Sequence, residues 1–329
     1  MALALVLGAT GHIGAHIVRA LLAEGHQVRA AYRTEHYLEV LDGLPVERVR
    51  VDIEQGLGLR EALEGCGWVF HAAGYYPRLR GARRDDAITC GIASTRRVMD
   101  AVREAKPSRV VFTSSAATIR RVAHRDATEA DVEPWPLDGW RPLYSTVKIA
   151  MEQEALRAAR AGLPVVVVNP SLCIGESDAH RFSGLAVLAF AKHRLPFYLS
   201  HRFNAVYTGD VGIGHVRAAE RGRIGERYLL TCRNVTLQEF AQMVAAAAGV
   251  RPPRWCVPYR LALTVAGCSE LLAWLTRTQP ILPREAIHAT RSIQRLDGAK
   301  AVRELGLPQT PIEEAIRRAI AWFHQHGEF

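Results

Sequence analysis

The fold of this chain is decided by residues 3–14, which read LALVLGATGHIG. The first five residues are apolar without interruption, which predicts a short strand buried on both faces, as the strands of a parallel sheet are. Three glycines follow at regular spacing, and apolar residues at helical spacing then continue to Leu22. A strand, a glycine turn and a helix in this order predict a unit that binds the phosphates of a dinucleotide.

Each glycine of this turn has an expected role. Gly8 permits a tight turn, Gly11 lets a pyrophosphate approach the backbone, and Gly14 allows the helix to pack closely on the sheet. The helix N-terminus adds unpaired N–H groups and a partial positive charge. We therefore predict that the cofactor is bound by Gly8, Thr10, Gly11, His12, Ile13 and Gly14.

Apolar runs of strand length alternate with helical segments over the first half of the chain. Six strands in this alternation predict an α/β fold with a doubly wound parallel sheet, a Rossmann fold. Because the alternation ends at residue 171, we predict a dinucleotide-binding domain over 1–171. A smaller, mostly helical substrate lobe is predicted over 172–329, with residues 204–220 returning to the first domain. The six predicted strands cover residues 3–7, 27–31, 46–51, 68–72, 109–116 and 164–169.

The end of the second predicted strand indicates which cofactor is bound. Chains that favour NAD usually carry Asp or Glu near this point, where it holds the ribose 2′-hydroxyl. This chain carries Arg33 instead, and a guanidinium pairs bidentately with a phosphate. We predict NADP(H) as the preferred cofactor and keep NAD(H) as the alternative. Later strand ends are predicted to border the cofactor through Asp52, Ile53, Ala72, Ala73, Gly74 and Thr113, a structural role being the alternative for Thr113.

Tyr144 and Lys148 are four residues apart in a segment, 144–161, that predicts a helix without glycine or proline. At that spacing their side chains lie on one helix face, about 5–6 Å apart at Cβ. A free tyrosine, with a pKa of about 10, is a poor acid or base at neutral pH, but a nearby cation favours the phenolate. Ser115, at the carboxyl end of the fifth strand, can donate a hydrogen bond to a substrate oxygen. We predict that these three residues exchange a proton with an alcohol or a ketone.

The bulk composition limits the class of protein. Six cysteines lie at spacings that predict neither a disulfide framework nor a metal site, which favours a reducing cytoplasm. The net charge of +9 is spread along the chain without a nucleic-acid-binding module. A basic surface is also suited to an anionic cofactor or to the cytoplasmic face of a membrane. No apolar run reaches the length of a membrane span, so we predict a cytoplasmic protein, with peripheral membrane contact as an alternative.

The second lobe contains a predicted helix over residues 261–275. One stripe of this helix is apolar, and we interpret it as core or as the wall of a substrate pocket, with contact to a membrane surface as the alternative. The stripe consists of Leu261, Val265, Cys268, Leu272 and Leu275. A bulky, apolar substrate is suggested by Trp255, Tyr259, Leu261 and Trp274.

Five motifs together resemble those of the extended short-chain dehydrogenase/reductase superfamily (NAD-dependent epimerases and dehydratases) over essentially the whole chain. The chain looks most similar to the dihydroflavonol-reductase-like branch, which includes the hopanoid-associated sugar epimerases. It is also similar to the 3β-hydroxysteroid dehydrogenase/decarboxylase branch. The motifs are Gly8-Ala9-Thr10-Gly11-His12-Ile13-Gly14, His71-Ala72-Ala73-Gly74, Phe112-Thr113-Ser114-Ser115, Tyr144-x-x-x-Lys148 and Asn169-Pro170-Ser171.

The resemblance implies a role for individual residues. Tyr144 would be the general acid/base, and Lys148 would hold the nicotinamide ribose and lower the tyrosine pKa. Ser115 would polarise the substrate carbonyl, while Pro170 and Ser171 would lie beside the nicotinamide. Sugar dehydratases of this superfamily carry an acidic pair after the serine; because this chain has two alanines there, dehydration is not expected.

Three functions remain open from the sequence. The first is an NAD(P)-dependent oxidoreductase that interconverts a secondary alcohol and a ketone or aldehyde on a sterol-like or isoprenoid-like substrate. The second is a nucleotide-sugar epimerase, which uses the same residues but keeps its cofactor bound. The third is a non-enzymatic cofactor sensor, although such relatives typically lose the tyrosine or the lysine. A small-molecule substrate and a homodimer are the expected partners.

Overall fold

The computed structural model describes residues 2–75, 83–179, 184–192, 197–276, 278, 280, 284, 287 and 294–329. The strands of these residues are β1 (Leu3–Leu7), β2 (Gln27–Tyr32), β3 (Glu47–Arg50), β4 (Trp68–His71), β5 (Arg109–Thr113), β6 (Val165–Pro170), β7 (Leu172–Ile174), β8 (Phe197–Leu199), β9 (Arg202–Tyr207), β10 (Arg227–Leu230), β11 (Arg233–Thr236) and β12 (Trp255–Val257). The α-helices are α1 (His12–Ala23), α2 (Leu59–Leu63), α3 (Arg84–Ala105), α4 (Leu143–Arg160), α5 (Gly184–Ala191), α6 (Thr208–Arg221), α7 (Leu237–Ala248), α8 (Tyr259–Thr276), α9 (Ala299–Leu305) and α10 (Ile312–Gln325).

Seven strands form one parallel sheet in the order β3-β2-β1-β4-β5-β6-β10. The predicted doubly wound α/β fold is therefore confirmed. The strand order reverses between β1 and β4, and ligands of open α/β sheets bind in the crevice at such a switch point, outside the carboxyl ends of the strands.

The continuous apolar run of β1 is explained by helices on both faces of the sheet. Side chains alternate along a strand, so Ala4 and Val6 pack into one core cluster and Leu5 and Leu7 into the other. All four are fully buried. The first cluster receives side chains from α1, α6 and α9, and the second receives them from α2, α3 and α4.

The seventh strand, β10, comes from the second half of the chain. All six strands predicted for the sheet lie before residue 171, so β10 was not among them. Every residue of β10 is buried, and it pairs in parallel with β6. We keep the division at residue 171 as a proposal, with α6 and β10 counted with the sheet domain.

The remaining residues form a smaller lobe around an aromatic core. A three-stranded sheet, β11-β9-β7, lies beside α5, α7 and α10, and the strands β8 and β12 pair separately. Phe203, Phe240 and Phe323 are fully buried where these elements meet.

The apolar stripe predicted on α8 is not part of the core, so the interpretation as core is wrong. Four of its members are between 48% and 64% exposed: Leu261, Val265, Leu272 and Leu275. The fifth, Cys268, is also exposed. The helix instead buries Ala262, Ala266 and Ala273, because small side chains let it approach its neighbours closely; the first two pack against Leu199 and Ile287. Among the helices that the structure describes, none combines the length and the hydropathy needed to cross a bilayer.

Candidate active site

The glycine turn after β1 has the shape predicted for binding a pyrophosphate. Gly8 has a φ of +83°, and a Cβ on it would lie 2.9 Å from the backbone N of Ala73, so the ends of β1 and β4 nearly touch. A Cβ on Gly14 would lie 2.0 Å from the carbonyl oxygen of Gly8. Gly11 is the N-cap of α1 and no side chain caps this helix. The first turn of α1 therefore fits the phosphates of a dinucleotide, which its N–H groups can bind.

The side chains of this turn face different ways. The Nε2 atom of His12 lies 2.9 Å from the Thr208 hydroxyl at the start of α6, so the His12 side chain ties α1 to α6. Thr10 is buried and Ile13 is half-buried against the core. We therefore propose that the backbone of these residues, more than their side chains, binds a cofactor.

Arg33 lies at the end of β2 with its side chain 62% exposed. Its Nη1 atom is 3.0 Å from Oε1 of Glu54, which is itself half exposed. A surface ion pair of this kind contributes about 0–1 kcal/mol, so a phosphate can replace the carboxylate at little cost. Asp52 accepts hydrogen bonds from the N–H groups of Glu54 and Gln55 and so shapes the loop that carries this partner.

Lys148 is buried at the crevice although it carries an ammonium group. It is 3% exposed, and a Cβ on Gly74 would lie only 2.4 Å from its Nζ atom. Burial lowers the pKa of Lys148 to about 8, while the nearby charge of Glu152 acts in the opposite direction. Tyr144 precedes Lys148 by one helical turn on α4 and is half-buried. The helix thus brings the ammonium to the loop after β4, on the face that carries the phenol.

Ser115 caps the 3₁₀ turn Ala116–Thr118, which follows β5. Its hydroxyl oxygen accepts a hydrogen bond of 3.2 Å from the N–H of Ala117. Because that bond uses the oxygen as an acceptor, the hydroxyl hydrogen is directed elsewhere and can be donated to a substrate.

Two other predicted residues are tied to neighbouring elements. The Thr113 hydroxyl lies 2.9 Å from Nε2 of His215 in α6, so its side chain joins strand to helix. The Ser171 hydroxyl donates to Oδ1 of Asn204 in β9 at 2.8 Å, immediately after Pro170 ends β6. Ser171 therefore links the sheet domain to the smaller lobe.

A cavity of about 580 Å³ is lined by sequence neighbours of Ser115 and Tyr144. Ala117, from the turn that Ser115 caps, and Ser145, adjacent to Tyr144, both line it. Its wall combines apolar and polar side chains, among them Ile119, Trp140, Leu199, Tyr259, Arg121 and Gln294.

The residues that suggested an apolar substrate do not all belong to this cavity. Tyr259 lines it, but Trp255 and Trp274 are 72% and 75% exposed on the surface, and Leu261 is 54% exposed. The sequence showed their apolar character but not whether they face the cavity, which depends on how α8 packs.

The sequence analysis missed Glu152, which is 1% exposed on α4. Its Oε1 atom accepts a hydrogen bond from Arg227 of β10 at 3.1 Å. Its Oε2 atom accepts three more, from Ser114 at 2.5 Å, Thr118 at 2.9 Å and Asn169 at 2.5 Å. The signal that could have found it is spacing, because Glu152 follows Lys148 by the same four residues that separate Lys148 from Tyr144.

One group of possible metal ligands occurs on the surface, among the residues that the structure describes. Atoms of Glu24, His26 and Glu220 lie within 4.8 Å of one another. Both carboxylates form ion pairs with Arg217, at 3.1 and 2.9 Å. The guanidinium already neutralises this pair of acids, so we assign no metal to it.

Comparison with known proteins places the chain in a family. Residues 4–230 match the model of the NAD dependent epimerase/dehydratase family. The chain belongs to this family. A Synechocystis protein named provisionally as a dihydroflavonol 4-reductase is 35% identical, over 98% of this chain and 94% of its own length. Sterol demethylase protein B of Methylococcus capsulatus is 33% identical over 98% of both chains.

Solved structures agree with this family. A protein from Pseudomonas aeruginosa described as a nucleoside-diphosphate-sugar epimerase superposes with a TM-score of 0.82 at 28% identity, over 100% of this chain and 99% of its own. The resemblance to the extended short-chain dehydrogenase/reductase superfamily is thus confirmed, and the chain is an oxidoreductase of this type.

Proposed function

We propose that this enzyme interconverts a secondary alcohol and a ketone or aldehyde on a bulky, largely apolar substrate and that it prefers NADP(H). One observation carries the proposal. Lys148 places its Nζ atom against Gly74 at the dinucleotide crevice, on the helix face that also carries Tyr144. A buried cation one turn from a phenol, at a cofactor crevice, is an arrangement for moving a proton at a substrate oxygen.

The chain's own residues handle the proton and the substrate oxygen. When bound, the nicotinamide supplies or accepts the hydride. In reduction, Tyr144 donates its phenolic proton to the oxygen that becomes the alcohol, and in oxidation it takes that proton back. The Lys148 ammonium favours the phenolate that Tyr144 leaves behind. Ser115 donates its hydroxyl hydrogen to the same oxygen and so stabilises the negative charge that develops there.

The substrate class is supported by the cavity and by the names of relatives. Those names refer to a dihydroflavonol and to a sterol, which are both polycyclic molecules that carry oxygen substituents on their rings. Ile119, Leu199 and Tyr259 offer an apolar wall to such a ring system. Arg121, also at the cavity, suits a polar or anionic group at one end of the substrate.

A nucleotide-sugar epimerase is the second candidate, favoured by the description of the Pseudomonas aeruginosa structure. The purified enzyme would be mixed with NADPH or NADH and a panel of sterol ketones, flavonoid ketones, aldehydes and nucleotide sugars, and followed at the absorbance of the reduced cofactor. An oxidoreductase consumes free cofactor with a ketone or aldehyde. Conversion of a nucleotide sugar without consumption of free cofactor would replace the proposal by the epimerase.

The cofactor preference is tested at Arg33. Replacing it by alanine is expected to weaken NADP(H) binding about 10-fold or more while leaving NAD(H) binding unchanged, because only NADP(H) carries the 2′-phosphate. Arg60→Ala is a matched control, since Arg60 is an exposed arginine paired with Glu104 on the surface. Equal binding of NADP(H) by Arg33→Ala and the unaltered enzyme would contradict the preference.

We also propose that the exposed face of α8 contacts an anionic membrane surface. From Leu261 to Leu275 the exposed residues of α8 are uncharged and mostly apolar, and Trp255 and Trp274 stand exposed near the two ends of α8. Residues 251–269 contain three exposed arginines and no acidic residue, which complements anionic lipid headgroups. The N-terminal residue of α8, Tyr259, lines the cavity, so an apolar substrate could pass from the bilayer to the site.

Sedimentation with vesicles tests this contact. The enzyme is expected to bind vesicles containing phosphatidylglycerol and to bind pure phosphatidylcholine weakly. The triple variant Leu271→Ser, Leu272→Ser, Trp274→Ser should lose most of this binding. Ile224→Ser, which alters an exposed apolar residue elsewhere, should keep it. Equal binding by the triple variant and the unaltered enzyme would refute the contact, and a change in oligomeric state alone would assign the face to a second copy.

A further inference from the structure

Three ionisable side chains recur every four residues along α4, at Tyr144, Lys148 and Glu152. Residues at this spacing lie on one face of a helix. Lys148 and Glu152 are both almost fully buried, at 3% and 1% exposure. Burying a charge costs free energy unless the charge is paired and hydrogen-bonded. The partners of each charge therefore show how that cost is offset and what role the charge has.

Glu152 is held from three elements other than its own helix. Ser114 and Thr118 reach it from the end of β5 and the turn that follows, Asn169 from β6, and Arg227 from β10. Four donors on two oxygens is the pattern of an ionised carboxylate, which can only accept. The fold therefore fixes a negative charge at this point, one helical turn beyond Lys148.

Among the described residues, His71, Tyr144 and Glu152 are the titratable groups that lie near Lys148. Burial lowers the pKa of His71 at the end of β4 to about 3, with a further lowering by Lys148, so its ring is neutral at physiological pH. Tyr144 precedes Lys148 on its own helix. Glu152 is the charged group whose field acts on the lysine, and Arg227 binds the carboxylate at Oε1.

We propose that Glu152 is a positioning residue that keeps the Lys148 ammonium charged and in place against Gly74. Without a nearby anion, burial would favour the neutral amine, which cannot support the Tyr144 phenolate. The inference rests on the proposed function only in assigning Lys148 to the cofactor and to Tyr144. The effect of the Glu152 charge on Lys148 involves the protein alone, so it can be measured without substrate or cofactor.

The chain has only four lysines, which makes the measurement direct. Lysine labelled with ¹³C at Cε is incorporated during expression, and the Lys148 signal is assigned by its loss in Lys148→Met. In the unaltered protein this signal is expected to titrate near pH 8. In Glu152→Gln the midpoint is expected to fall by about one pH unit or more, because the anion that favours the ammonium is gone.

Two further variants define the specificity of the effect. Glu154→Gln removes a carboxylate two residues away that pairs with exposed Arg157, and it should leave the Lys148 midpoint unchanged. Glu152→Asp keeps the negative charge, so its Lys148 midpoint should lie close to that of the unaltered protein. If Glu152→Gln does not fold, the double variant Glu152→Gln, Arg227→Gln removes the buried pair together. The fall is still expected because the carboxylate, and not Arg227, is the charge that acts on Lys148.

A Lys148 midpoint in Glu152→Gln, or in the double variant, that matches the unaltered protein would overturn the proposal. Glu152 would then serve only to join α4 to β10. A fall of equal size in Glu154→Gln would also overturn it, because the effect would be one of general charge. Failure to consume NADPH with any carbonyl compound would remove the proposed reaction but would leave this titration unaffected, so the two failures are distinguishable.

Discussion

The helices α4 and α8 are both 18 residues long. Apolar side chains are usually buried and charged ones exposed, and each helix departs from this rule in its own way. The face of α4 buries an ammonium and a carboxylate, Lys148 and Glu152. The face of α8 leaves Leu272 and Trp274 60% and 75% exposed. One helix hides charge and the other displays apolar surface.

The difference lies in where the partners of each face are found. The Glu152 carboxylate of α4 is satisfied within the chain, by donors from the end of β5, from β6 and from β10, so the cost of burying it is offset in the folded protein. The apolar face of α8 has no such partner among the described residues, and a contiguous exposed apolar patch of this kind marks an interaction site. The face of α4 indicates a catalytic role within the enzyme, and the face of α8 indicates contact with another surface.

The largest expected effect is at the catalytic end of the α4 face. Tyr144→Phe should lower turnover by about 10²–10⁴-fold with little change in cofactor affinity, because it removes the proton but keeps the ring. Steady-state kinetics and a cofactor-binding titration measure the two quantities. Tyr198→Phe, at a half-buried tyrosine of β8, is the control and should keep full turnover. Unimpaired turnover in Tyr144→Phe would mean that the α4 face is structural.

The buried ion pair should control stability more than any surface pair. Arg227→Met is expected to lower the free energy of unfolding by about 3–5 kcal/mol, because Glu152 is left buried without its cation. Urea denaturation measures this loss, and adding Glu152→Met should recover part of it. Arg157→Met, which breaks the exposed pair with Glu154, should cost about 0–1 kcal/mol. Equal losses of unfolding free energy in Arg227→Met and Arg157→Met would show that the buried ion pair stabilises the protein no more than the exposed one.

Acid should weaken the sheet domain and leave the apolar face of α8 unaffected, since residues 251–276 contain no histidine. Burial lowers the pKa of His16, His71 and His215 to about 4, 3 and 4, below the ordinary value of 6.5. The unfolded chain therefore takes up more protons than the folded one in this window. Stability is full above pH 6.5 and falls as the pH is lowered towards 4.

Each of these histidines is expected to lower the free energy of unfolding by about 1–2 kcal/mol when the pH falls from 6.5 to 5. Urea denaturation at pH 7 and at pH 5 measures the sum. His215→Gln should show a smaller difference between the two pH values, because one of the three groups no longer titrates. Stability independent of pH across this range would show that these rings are not held neutral.

The smallest effect is expected on the outer face of α8. Leu272→Ser should change the free energy of unfolding by less than about 0.5 kcal/mol, because the leucine is already in contact with solvent. Ala266→Leu, on the buried face of the same helix, should destabilise by about 1–3 kcal/mol through overpacking. A loss above about 1 kcal/mol in Leu272→Ser would show that this face is covered in the folded protein.

Much of the fold could be predicted from the sequence because its signals are local. The apolar run before Gly8 and the regular alternation up to Asn169 predicted six of the seven strands of the parallel sheet. The helix that carries Tyr144 and Lys148 was predicted to within one residue at each end. The place of β10 could not be predicted in this way, since a buried strand of four residues looks the same in any sheet.

The sequence by itself determined the periodic and the short-range features of this protein: the glycine turn, the parallel sheet and the spacing of Tyr144 from Lys148. Only the tertiary structure decided which groups are sealed from water. It closed β5, β6 and β10 around Glu152, and it packed α8 by its alanines, leaving Leu261, Leu271, Leu272 and Leu275 exposed. The physical reason is that periodicity depends on neighbours along the chain, whereas burial depends on partners that the fold brings from far away in sequence.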